Sequence, residues 1–223
     1  MDGTGLLFDE LLPCLSTDTQ AKVVSYPDHA YLSYQKLEEL VVRQLPVRRK
    51  YIIMAESFSG PIALRVAHRL VGGGRLEAVV LVASFAYRPQ GWMGFVLARL
   101  PLKMIFSMPL PNFVLRTLLL GESASPGIIK RTGEVIRQVA PAVLAGRLRE
   151  ALTSDYGKRR VDPALRVVAV FADGDRLLGR EARRSIADVC EQAEVEIVDA
   201  PHFALQVRPR TVLEALLRLG ILL

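Results

Sequence analysis

An α/β architecture, a mostly parallel sheet with helices on both faces, is what this sequence predicts. Two observations predict it. Short β-branched runs alternate with longer stretches of helical period, the pattern of strands joined by helical crossovers. The chain is 51% hydrophobic and only 23% charged, enough apolar side chain to bury a core and too little charge for a disordered segment. Its 223 residues fit one domain, or one domain carrying an insertion.

In chain order, residues 22–26 read as a strand ended by Pro27. Residues 32–45 read as a helix whose apolar stripe is Leu37, Leu40, Val41 and Leu45. A strand over 50–55 runs straight into Ser57, and a helix over 60–70 is closed by Gly72-Gly73-Gly74. Buried strands follow at 76–83 and 166–171, with a last short one at 195–198; helices fit 180–190 and 209–219. Between 84 and 163 the pattern changes to short, Leu-, Met- and Phe-rich helices punctuated by Pro89, Pro101, Pro109, Pro111, Pro126 and Pro141. This reads as a helical cap, or lid, inserted into a core made of 1–83 and 164–223.

Composition narrows the function. The net charge is +6, but the basic residues are scattered in short groups such as Arg48-Arg49-Lys50 and Lys158-Arg159-Arg160, with no aromatic-laced basic stripe for nucleic acid. Cys14 and Cys190 match no metal or redox spacing and read as small buried hydrophobes. With three dispersed histidines, nothing calls for a metal or another cofactor. The first ten residues hold acids and no basic segment of a secretory signal. The longest apolar stretch, 104–115, is too short and too broken by Pro109 and Pro111 to span a bilayer. The expectation is a cytoplasmic protein without stable membrane insertion.

Three segments carry chemistry. In Ala55-Glu56-Ser57-Phe58-Ser59-Gly60 a serine sits where a strand meets a helix, with small residues two positions to either side. A sharp turn there forces the serine into a strained conformation, and bulky flanking side chains would clash. An ordinary helix N-cap serine is the bland alternative. Of the histidines, His29 lies in a turn and His68 inside a helix, whereas His202 follows the last strand, in Asp199-Ala200-Pro201-His202-Phe203. That is the edge of an open α/β sheet where ligands bind. Phe171-Ala172-Asp173-Gly174-Asp175-Arg176-Leu177 leaves another strand at the same edge. Ser57 is thus assigned as nucleophile, His202 as base and Asp175 as the carboxylate that orients it. Asp173 is the rival acid, its ordinary role being to cap a turn.

With these motifs in this order, the chain resembles the α/β-hydrolase-fold esterases and lipase-like hydrolases of bacteria along nearly its whole length. Met1-Asp2-Gly3-Thr4-Gly5 looks like the tail of the Pro-Gly-x-Asp-Gly-Thr-Gly oxyanion loop of one branch. Ala55 to Pro61 looks like its nucleophile elbow, with Ala55 where glycine is usual. Asp173 to Leu177 and Ala200 to Phe203 match its acid and histidine loops. The resemblance implies an oxyanion hole made of the Phe58 backbone N–H and a donor from Met1-Asp2. It also implies a strand ahead of Met1, lying between the strands at 22–26 and 50–55. Direct pairing of those two strands, a strand lent by a second subunit in a homodimer, or a truncated product would each account for its absence.

The cap places Trp92, Met93, Phe95, Leu97, Met104, Phe106, Met108 and Phe113 where an apolar acyl pocket would lie, and Phe203 adjoins it. Trp92, Phe95, Met104, Phe106 and Phe203 are the candidate substrate contacts. The expected substrate is a small hydrophobic carboxylic ester of short to medium acyl chain. Arg99, Lys103 and Arg116 would instead suit the phosphate of a coenzyme A thioester. A thioesterase or acyltransferase with the same triad, and a catalytically inactive interaction protein of the same fold, are the alternatives.

Overall fold

The β-branched runs become four strands: β1 (Tyr51–Glu56), β2 (Leu76–Val82), β3 (Arg166–Ala172) and β4 (Glu194–Val198). In this computed structural model, which describes residues 1–70, 72–155 and 159–221, they form one sheet in the order β1-β2-β3-β4 with every pair parallel. Side chains alternate across it. Ala78, Val80, Val82, Val168 and Val170 enter one core layer, and Val79, Leu81, Val167, Ala169 and Phe171 the other. A sheet buried on both faces explains why residues 78–82 and 167–172 read as unbroken apolar runs, with Glu77 and Arg166 only at the strand entrances.

Helices supply both covers. α1 (Tyr34–Val42) starts at Ser33, whose side chain accepts from the Lys36 N–H, and it turns Tyr34, Leu37 and Val41 inward. α2 (Gly60–Arg69) follows β1 directly. Among its described residues, the segment between β2 and β3 is helical wherever it is regular: α3 (Met93–Leu97), α4 (Leu102–Ser107), α5 (Asn112–Leu115), a π turn (Arg116–Leu120), α6 (Pro126–Gln138) and α7 (Pro141–Thr153). Pro126 and Pro141 open α6 and α7 at the position where a missing N–H costs nothing. α8 (Arg180–Val189), the short α9 (Ala204–Val207) and α10 (Pro209–Arg218) complete the chain. α10 covers one face through Val212, Leu213 and Leu216, while α2 and α8 cover the other through Leu64, Ala67, Ile186 and Val189.

One expected strand is absent. Residues 22–26 form no ladder and do not pair with β1, so direct pairing with 50–55 is corrected. Tyr26 N–H instead donates to the Gly3 carbonyl at 2.6 Å. Val24 and Tyr26 pack into the cluster around Tyr34 and Phe58. Their β-branched and aromatic character serves packing rather than a ladder, an ambiguity inherent in β-propensity. Among the described residues β1 is therefore an edge strand. Because all four strands run the same way, the loops after β1, β3 and β4 open at one edge of the sheet.

Candidate active site

Leaving β1, the backbone turns sharply, and Ser57 takes φ +52°, one of three non-glycine residues with positive φ among those described. Such a conformation costs about 1–3 kcal/mol and persists only where its surroundings enforce it. Here they do. The Ser57 carbonyl accepts from Ser84 Oγ at 2.7 Å, which ties the turn to the end of β2. A Cβ on Gly60 would overlap Ser84 Oγ and lie 2.9 Å from the Phe85 carbonyl oxygen, so only glycine lets α2 start this close. Phe58 is buried, stacked on Tyr34 at 4.8 Å, with Tyr26 edge-on at 6.5 Å.

Ser57 Oγ lies 2.8 Å from His202 Nε2, and His202 Nδ1 lies 2.7 Å from Asp175 Oδ2. The histidine and aspartate side chains are 2% and 4% exposed, so water does not compete for that second contact. Asp175 Oδ1 accepts from the N–H groups of Leu177 and Leu178 at 2.8 and 2.9 Å. This leaves Oδ2 as the oxygen presented to His202. An ionised Asp175 can only accept, so it selects the tautomer with the proton on Nδ1 and leaves Nε2 free to accept from the serine hydroxyl. The acid and histidine loops are stitched together: Gly174 N–H donates to the Ala200 carbonyl at 3.1 Å, and a Cβ on Gly174 would lie 2.9 Å from that oxygen. Asp173 is exposed; its backbone N–H, not its carboxylate, reaches across to the Val198 carbonyl.

Glu56 ties the Ser57 turn to the helix after His202. Its carboxylate accepts from Leu205 N–H at 3.0 Å and Gln206 Nε2 at 2.8 Å. Burial pushes its pKa above the usual carboxylate range, and these two donors oppose the shift.

The N-terminal segment lies against the same edge. Asp2 Oδ2 accepts from both the N–H and the hydroxyl of Thr4 at 2.9 Å, closing a tight turn through Gly3 at φ +68°. Arg147 of α7, with no exposed surface, holds that turn. Its guanidinium donates to the carbonyls of Met1 at 3.0 Å, Asp2 at 2.5 Å and Pro27 at 2.8 Å, and it lies 5.7 Å from the Tyr26 ring centroid. Burial lowers the Arg147 pKa and Asp2 opposes this. A cavity of about 50 Å³ separates the turn from the serine; Met1, Asp2, Leu7, Phe8, Ser57 and Phe203 border it.

The sequence-predicted residues therefore divide. Ser57, His202 and Asp175 form one hydrogen-bonded row, and Met1, Asp2 and Phe203 border the cavity beside it. Phe58 lies within the elbow itself. The other aromatic and methionine candidates are not brought to Ser57. Trp92 and Phe95 border a separate groove with Tyr87, Arg88 and α8. Met104 is 70% exposed, and Phe106 packs on Val139, Val143 and Leu144. The reason is local: Gly94 and Leu102 are the residues that α3 and α4 bury, which turns their larger neighbours elsewhere. Sequence reasoning missed Glu56, Ser84 and Arg147. The charge of Glu56, at the end of an otherwise apolar strand, was a signal; Arg147 carried none among 29 basic residues.

No family model and no curated protein sequence matches this chain. Solved structures do. A hydrolase from Oleispira antarctica superposes with a TM-score of 0.77 at 16% identity, over 98% of this chain and 87% of that one. A hydrolase from Pseudomonas aeruginosa PA01 gives 0.71 at 18% identity, covering 97% and 85%. A thermophilic esterase from Thermogutta terrifontis gives 0.72 at 16% identity, covering 97% and 85%. The fold is that of the α/β-hydrolases. In that fold the parallel sheet delivers the loops after its strands to one edge, and here those loops carry Ser57, Asp175 and His202.

Proposed function

We propose that this protein is a serine hydrolase that cleaves small carboxylic esters, with Ser57 as nucleophile, His202 as general base and acid, and Asp175 as orienting carboxylate. One observation carries the reading: the unbroken row from Ser57 Oγ through His202 to Asp175, at 2.8 and 2.7 Å, on a serine held at positive φ. An N-cap serine needs neither the strain nor the imidazole.

Ser57 Oγ attacks the ester carbonyl carbon while His202 Nε2 takes the hydroxyl proton. The imidazolium is stabilised by Asp175 and gives that proton to the departing alkoxide, leaving an acyl-serine. Water then attacks the acyl carbon, His202 takes its proton, and the acid departs as Ser57 recovers the proton. Negative charge on the carbonyl oxygen is met by the Phe58 N–H and by the Met1-Asp2 backbone across the cavity. Arg147 acts through that backbone as a positioning residue. The small cavity and its Leu7, Phe8, Val24 and Phe203 lining favour a short acyl group over a long one.

The test is hydrolysis of p-nitrophenyl esters of increasing acyl length by wild type and Ser57→Ala. Acetate or butyrate should be turned over fastest, Ser57→Ala should lose at least about 10³-fold in kcat, and a fluorophosphonate should label only the wild type. Equal rates for the two proteins would end the proposal. Absence of both turnover and labelling in folded wild type would leave an inactive scaffold. A strong preference for matched acyl-coenzyme A thioesters would move the reading to a thioesterase.

A further inference from the structure

We propose that the outer face of α3, α4 and α5 docks on an anionic lipid surface. Helices on the outside of a protein ordinarily turn charge to water and apolar side chains inward. These three bury one residue each and leave apolar side chains in water beside their charged ones. α3 buries Gly94, α4 buries Leu102 and α5 buries Leu115. Trp92, Met104, Met108 and Phe113 are left 76%, 70%, 63% and 69% exposed. Among the described residues, ten of the eighteen exposed large hydrophobics fall between positions 92 and 118, a concentration that marks an interaction surface.

Charge selects the occupant. From Ala78 to Gly121 the chain holds no aspartate or glutamate, while Arg88, Arg99, Lys103 and Arg116 fall within that stretch. Among the described residues Arg99, Lys103 and Arg116 pair with no carboxylate. Glu181 and Asp188 of α8 border the groove beside Trp92 together with Arg184, and Asp188 accepts from the Tyr87 hydroxyl; Glu122 follows the π turn. Two copies of the chain meeting through this face would bring together two surfaces of like positive charge. An anionic headgroup layer instead meets each cation while accepting tryptophan, methionine and phenylalanine at the acyl boundary. Lys and Arg reach such headgroups along their own apolar stems. No described helix is long and apolar enough to cross a membrane, so contact is with the surface. The surface is independent of the catalytic reading, and Ser57→Ala is expected to dock as wild type does.

Trp92 is the only tryptophan in the chain, so its fluorescence reports this face alone. Wild type would be titrated with phosphatidylcholine vesicles with and without phosphatidylglycerol, and floated with both. Blue-shifted emission, quenching by brominated lipid and flotation are expected with the anionic vesicles. Three basic residues at about fivefold each give roughly 100-fold tighter binding there than to phosphatidylcholine alone, weakening as salt rises. Arg99→Glu/Lys103→Glu should remove most of that preference. Met104→Glu/Phe113→Glu should abolish the blue shift, and both pairs, exposed in the fold, should melt as wild type does. Absence of shift and flotation with anionic vesicles would overturn the proposal. So would equal, salt-insensitive binding to both vesicle types. A blue shift that grows with protein concentration in the absence of lipid would assign the face to a second copy and overturn it too.

Discussion

Replacing Arg147 by methionine removes a buried fork from three backbone carbonyls while keeping much of the side-chain volume. Each of the three carbonyls left dry costs about 1–3 kcal/mol. Against this stands the relief of several kcal/mol from no longer burying a cation without a paired carboxylate. The balance is a loss of about 3 kcal/mol, roughly 6–12 °C in Tm for a chain of this size. The catalytic consequence is separate. Two of the three carbonyls belong to Met1 and Asp2, which face Ser57 across the cavity. If that backbone supplies an oxyanion donor, its drift costs about 10²–10³ in kcat with little change in KM. Arg147→Lys, a point charge that cannot reach three carbonyls in one plane, should fall between the two. The assay is steady-state hydrolysis of p-nitrophenyl butyrate beside thermal melts, with millimolar guanidinium added to Arg147→Ala as chemical rescue. A folded Arg147→Met that melts lower but keeps kcat within about twofold of wild type would refute the link between this clamp and the oxyanion site.

Other substitutions test neighbouring links. In Asp175→Asn the amide oxygen keeps the Leu177 and Leu178 N–H groups, so the NH₂ faces His202 Nδ1, drives the proton to Nε2 and deprives Ser57 of its base. A fall of about 10⁴ in kcat is expected, and Asp173→Asn is expected to be near wild type; the same assay on both distinguishes the two acids. Burial raises the Glu56 pKa, so this group stabilises the fold below the ordinary carboxylate range and loses that contribution as pH rises through its raised folded value. Urea midpoints of Glu56→Gln should therefore gain on wild type as pH rises through that window, and a gain on acidification would contradict the sign. Gly60→Ala would press a methyl into Ser84 Oγ and the Phe85 carbonyl. It should cost about 1–3 kcal/mol in a melt and reduce turnover by disturbing the Ser57 turn.

Much of this protein is written locally. Unbroken apolar runs over 78–82 and 167–172 specify strands buried on both faces, and prolines at 126 and 141 announce the helix starts found there. The serine, aspartate and histidine segments could be located because each leaves a strand, and parallel strands send such loops to one edge whatever the details of packing. Residues 22–26 show where local reading fails: Val24 and Tyr26 have strand chemistry, but a strand also needs a free partner edge, and theirs is spent on a packed cluster. The outward turn of Trp92 and Met104 was equally illegible, because which face a five- or six-residue helix buries is decided by its neighbour, not its own period. Arg147 is the plainest case. In sequence it is one cation in an arginine-bearing helix; only folding brings three carbonyls from two distant segments around it. Composition and periodicity determined the layers and the order of the loops that carry Ser57, Asp175 and His202, since those depend on short-range sterics and burial. The tertiary structure decided which carbonyls, carboxylates and cations meet, since hydrogen bonds between residues more than a hundred positions apart leave no local trace.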